Sequence, residues 1–146
     1  MPTAGGVSRT FEIGTASGYN PVTVNFDSVS FGNIVANATA GEHPNIGTSN
    51  ISSGKDVNVY WSLTNSGITF TSYNATFNFN AGDIDGSANT TNFIVGKYSG
   101  GWTYPTVGTK TSTSTQATGM TSFSDFAVGA VNNPPTSANN TVTTPK

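Results

Sequence analysis

Three stretches of this 146-residue chain alternate apolar and polar side chains one for one, and that period decides most of what the chain can become. "PVTVNFDSV" sets Val22, Val24 and Phe26 on one face and Thr23, Asn25 and Asp27 on the other. "VNVYWSL" does the same with Val57, Val59, Trp61 and Leu63, and "YNATFNF" with Tyr73, Ala75, Phe77 and Phe79. A repeat of two marks a strand with one buried face. No window spaces its apolar residues at i, i+3, i+4, i+7 over three turns, and the strong helix formers Leu, Glu, Lys and Arg are scarce. The fold class is therefore all-β. Further strands are expected at 11–13, 34–38, 68–70, 93–98, 102–104 and 121–128, separated by turn signals such as "TNSG", "AGDIDG" and "YSGG". The expected architecture is an antiparallel, Ig-like β-sandwich, with a jelly roll as the alternative topology. The length supports one hydrophobic core, divided as an N-terminal arm at 1–10, a sandwich at 11–129 and a Pro/Asn/Thr-rich tail at 130–146.

Only 8% of the residues are charged, while Ser, Thr and Asn together make up roughly 40%. A typical soluble domain is about a quarter charged, so the surface here must be polar and nearly neutral. Five Lys or Arg against seven Asp or Glu give a net charge of -2, too little cation to neutralise a phosphate backbone; nucleic acid is not an expected partner. The chain has no cysteine, which excludes a disulfide framework, thiolate metal sites and a Cys nucleophile. Such a surface is expected of an extracellular or cell-surface protein. "MPTAGGVSRT" has no apolar h-region and no run of about 18 apolar residues occurs, so membrane insertion is not expected and a secreted chain of this kind would be a mature or excised form.

Candidate chemistry is sparse. The one histidine, His43, stands beside Glu42 in "AGEHPN", but a hydrolytic triad needs a base held by a carboxylate next to a placed nucleophile, so His43 reads as a polar loop residue and no catalytic residue is assigned. "AGDIDGSAN" resembles part of a calcium loop: Asp83, Asp85 and Asn89 surround Gly86, although the third ligand of D-x-D-x-D-G and the distal Glu are lacking. Calcium is the only cofactor considered, and a carboxylate from a neighbouring segment, Asp56 or Asp125, would strengthen the case. The competing reading is a hairpin loop in which Asp and Gly satisfy turn geometry. Trp61 alternates in phase with the valines around it and is expected in the core. Trp102 and Tyr104 follow a Gly-Gly turn, where exposed rings could stack on a sugar. Several N-x-[ST] triplets occur, as chance alone supplies in so Asn- and Thr-rich a chain.

The ordered blocks "VNVYWSLTNSGITFTSYNATFNFNAGDIDG", "NFIVGKYSGGWTYPTVGT" and "TSFSDFAVG" resemble a β-sandwich module that recurs in very large secreted surface proteins of Bacteroidota-like bacteria. The tail "PPTSANNTVTT" is similar to the linker and first strand that open cadherin-like modules in multidomain bacterial adhesins. The resemblance implies a stalk or adhesion element without catalytic residues, taken from a longer chain. The expected function is thus a non-catalytic extracellular structural protein, either an adhesin stalk module or the repeating subunit of a fibre. The alternative is a carbohydrate-binding or adhesive recognition module, with glycans as partners. Sandwich edges invite strand addition, so copies of the chain, or adjacent modules, are the expected partners. Two donor segments are available: Thr141, Val142 and Thr143, detached by Pro134-Pro135, and Val7, Phe11 and Ile13 near the start.

Overall fold

The computed structural model describes residues 7–16, 18–30 and 32–131. Among them the chain forms strands β1 (Val7–Phe11), β2 (Gly14–Thr15), β3 (Gly18–Tyr19), β4 (Val22–Phe26), β5 (Asn33–Ala40), β6 (Ile51–Ser66), β7 (Tyr73–Asn78), β8 (Phe93–Tyr98), β9 (Trp102–Thr103), β10 (Thr106–Thr111), β11 (Ser114–Met120) and β12 (Asp125–Val131). Helical structure among the described residues is confined to single 3-10 turns at Ile46–Thr48, Ala81–Asp83 and Thr90–Asn92. Two five-stranded sheets, ordered β1-β4-β7-β11-β10 and β5-β6-β12-β8-β9, face each other, and every pairing in them is antiparallel. The β-sandwich expected from the alternation is the fold observed.

The alternation explains the core. Val22, Val24 and Phe26 of the first sheet, with Tyr73, Ala75 and Phe77, meet Val57, Val59, Trp61 and Leu63, with Phe93, Val95, Phe126 and Val128, of the second. Burying each such aliphatic or Phe side chain contributes roughly 1.5–3 kcal/mol. Trp61 is fully buried, packs its ring 5.1 Å from that of Phe77, and donates its indole N–H to the Asn20 carbonyl at 3.1 Å.

Four expectations are corrected. The N-terminal segment begins the sandwich at Val7, within the expected arm: β1 pairs with β4 in unbroken register from Val7↔Phe26 to Phe11↔Val22. Val7, Phe11 and Ile13, read above as a donor strand for a neighbour, pack on their own core. Residues 68–70 form no strand, because Phe70 makes a single bridge to Val29. The sandwich also runs two residues past 129, to the end of β12 at Val131. The other proposed donors, Thr141, Val142 and Thr143, lie outside the described residues.

The four sheet edges differ. β9 is two residues long. β10 is broken by a register shift between Val107 and Lys110, where the Gln116 side chain takes the Thr109 N–H at 3.1 Å. β5, by contrast, keeps regular register with β6 over all eight of its residues, and β1 keeps it with β4 over all five. Between β1 and β5 a cavity of about 200 Å³ opens between the sheets, lined by Val7, Phe11, Phe26, Val29, Ile34 and Ile68.

Candidate functional site

The polar chemistry of the molecule collects on the outward face of the second sheet. On β6 the odd positions 57 to 63 point into the core, so the even positions Asp56, Asn58, Tyr60 and Ser62 point away from it. Residues 41–50 lie over this face. Ile46 packs with Ile51 and Ala127 in a second, small apolar cluster flanked by Ile94 and Trp102, and the Gly41 N–H donates to the Asn58 carbonyl at 2.7 Å.

His43 is the pin of this cover. It is 4% exposed, with its ring 4.9 Å from Tyr60, 5.0 Å from Tyr98 and 5.1 Å from Trp102. Its Nδ1 accepts the Asn45 backbone N–H at 3.0 Å, so Nε2 carries the proton and donates it to Asp125 Oδ2 at 3.0 Å. Asp125 Oδ1 in turn accepts the Ser62 hydroxyl at 2.8 Å. The order is serine, aspartate, histidine, backbone, whereas a nucleophile needs the histidine next to the hydroxyl. The polar loop histidine expected from "AGEHPN" is therefore corrected to a buried anchor; sequence spacing could not show that Asp125, 82 residues away, would reach it.

The "AGDIDGSAN" segment is also rearranged. Asp83 is buried and turned inward: its Oδ2 accepts Asn20 Nδ2 at 3.0 Å and the Asn80 backbone N–H at 3.0 Å, closing a capping box on the 3-10 turn at Ala81–Asp83. Asn89 Oδ1 is occupied by the Thr91 N–H and hydroxyl at 3.0 and 2.8 Å. Asp83, Asp85 and Asn89 thus form no common ligand set, because two of the three are spent on local turns. Asp85 turns the other way and meets Asp56 of β6 and Glu42 of the cover, with one carboxylate oxygen from each of the three within 4.8 Å of the others. The neighbouring carboxylate sought from sequence is Asp56; Asp125 belongs to His43. Glu42 carried no sequence signal for this role, since its partners lie 14 and 43 residues away along the chain.

Backbone geometry holds the three acids together. The Asp85 N–H donates to the Asp56 carbonyl at 2.8 Å, and Val57 bridges Ile84 beside it. Asn58 Nδ2 donates to Asp85 Oδ1. Gly129 of β12 lies flush under Asp56, where a Cβ would stand 2.3 Å from the Asp56 Cβ. Gly86 takes a φ of +59° with a Cβ position 2.4 Å from the Gly54 carbonyl oxygen, so a side chain there would meet both the wall and an unfavourable backbone. Burial pushes the Asp56 carboxyl up to about 9, reinforced by its hydrogen bond to Glu42 and by the charges of Glu42 and Asp85. Glu42 is raised as well, again chiefly by burial. Desolvation and like charge both disfavour ionisation, and a proton on Asp56 relieves them.

The two rings read as a sugar platform are in use by the fold. Trp102 packs on the outer cluster and donates its indole N–H to the Asn45 carbonyl at 2.9 Å and to Thr48 Oγ1 at 3.1 Å. Gly96 leaves room for its ring, 3.0 Å from where a Cβ would be. Tyr104 is 37% exposed, with its hydroxyl accepting the Asn50 N–H at 2.7 Å. Both tie the 41–50 cover to the β8–β9 side of the sheet. No family model, no curated protein and no solved structure matches the chain.

Proposed function

We propose that this chain is a non-catalytic extracellular structural module that joins copies of itself, or adjacent modules, by β-strand addition. The observation that carries the reading is the asymmetry of the sandwich edges. Unpaired strand edges are an aggregation hazard that folds ordinarily blunt with short strands, bulges or charge. The β9 and β10 edges are blunted in these ways, one by its length and the other by its register break. Among the described residues the β1 and β5 edges keep regular register and flank a cavity of mixed apolar and polar lining, with Val35 50% exposed on β5 and the β2–β3 hairpin lying against part of that strand. An added strand would pair with one of these edges and place alternate side chains in the cavity.

The favoured occupant is the segment around Thr141, Val142 and Thr143 of a second copy. Pro134-Pro135 cannot extend the β12 ladder, and the ten residues from Val131 to Thr141 reach about 33 Å when extended. Val142 supplies the apolar side chain for the cavity. Light scattering across a concentration series tests the reading. The full chain should assemble as concentration rises, and both deletion of residues 132–146 and Val35→Lys, which charges the open edge, should leave a folded monomer. A full chain that stays monomeric at millimolar concentration, or a deletion that assembles as the full chain does, refutes it.

A further inference from the structure

Glu42, Asp56 and Asp85 come from three separate segments: the turn after β5, strand β6, and the loop after Ala81–Asp83. A cluster of acids alone need hold nothing. Here the innermost member is 1% exposed, and its Oδ1 accepts no hydrogen bond although it is cut off from water. Glu42 Oε1 is in the same condition. A buried acceptor without a donor is costly, more so when charged; a proton shared between Asp56 and Glu42 offsets part of that cost, and a cation among the three carboxylates would offset the rest. The nearest lysine does not provide it: Lys55 Nζ reaches the Gly86 carbonyl at 3.3 Å.

We propose that Glu42, Asp56 and Asp85 form a calcium-binding site that ties the 41–50 cover and the 84–86 loop to strand β6. Three features favour calcium. First, the donors are all carboxylate oxygens, the ligands of a hard cation. Second, the one nearby nitrogen donor is unavailable, because both ring nitrogens of His43 are already hydrogen-bonded. Third, calcium–oxygen distances of about 2.3–2.6 Å put opposite ligands roughly 4.6–5.2 Å apart, so three oxygens within 4.8 Å of one another can share one ion. The ion would enter from the solvent side, where Asp85 and Glu42 are both partly exposed.

The test uses the full chain stripped with chelator, melted in chelator, in calcium and in magnesium at matched ionic strength. A calcium excess of about 100-fold over Kd should raise Tm by roughly 5–10 °C. Calorimetric titration should find one calcium per chain. Asp85→Asn is the informative variant: its amide oxygen can still accept from Asn58 and its backbone bond to Asp56 is untouched, so it should fold and lose the calcium increment. Asp56→Asn should lose the increment too. Identical melting curves in chelator and calcium overturn the site and leave a proton-sharing carboxylate cluster. A magnesium increment equal to that of calcium overturns the assignment to calcium.

Discussion

The outward faces of the two sheets have the same backbone and opposite demands. On the first sheet, cross-strand pairs such as Thr10 with Thr23 at 3.0 Å and Ser8 with Asn25 at 2.8 Å form a neutral polar ladder that water can finish. On the second sheet, the corresponding positions hold Asp56, Tyr60, Ser62, Tyr98 and Asp125, which need a covering segment, an imidazole and a shared proton to be tolerated. The comparison teaches where composition is free and where it is constrained. A ladder of Thr, Ser and Asn can lose one member at little cost, because each bond competes with a similar bond to water. The polar layer under residues 41–50 cannot, since its buried members, His43 and Asp56, have given up water and depend on the groups around them.

That contrast can be broken or sharpened by experiment. The largest effect is expected at the pin: His43→Ala removes three aromatic contacts and leaves the Asn45 N–H without its acceptor, costing about 2–4 kcal/mol in urea unfolding. Hydrogen exchange should then quicken across residues 41–50 and hold steady in β10 and β11; a uniform increase would show that the two faces are not independent. The next effect is one of pH. Asp56 binds its proton more tightly folded, up to about 9, than unfolded near 3.8, so its contribution to stability is present in full at low pH and is lost as pH climbs through that interval. In chelator, stability should fall from about pH 4 toward pH 9, and Asp56→Asn should flatten the slope; a slope unchanged in the variant assigns it to other groups. The smallest effect belongs to the first sheet, where Thr10→Ala should cost no more than about 0.5 kcal/mol. A loss of 2 kcal/mol there would make the ladder as demanding as the covered face.

The sequence shows the core more clearly than the site, and the reason is range. Period-two runs place β4, β6 and β7 and the inward direction of Trp61 because alternation is local. β10 and β11, "TVGTKT" and "STQATGM", escape that reading: Thr and Gly fill them, and Thr115 and Ala117 are buried by what packs over them, not by an apolar pattern. The run at 68–70 misleads in the other direction, since its apolar residues fill the end of the sandwich, where Phe70, Tyr73 and Phe123 pack ring on ring. In the candidate site, one loop carries two aspartates two residues apart that face opposite ways, Asp83 toward Asn20 and Asp85 toward Asp56. Spacing suggests that they act together. The capping box between Asn80 and Asp83, together with the separate bond from Asn20 Nδ2 to Asp83, holds Asp83 inward and separates the two.

If copies join by strand addition as proposed, the edges described for the sandwich carry a consequence for polymer growth. With the β9 and β10 edges blunted and the β1 and β5 edges regular among the described residues, each copy would then offer one seam. A unit with one seam and one donor has a valence of two, and divalent units grow in a line without branches. Any copy able to occupy a seam but unable to offer one acts as a chain stopper. Length in such a system is a matter of stoichiometry between the two kinds of copy, set without any change in the affinity of a single joint.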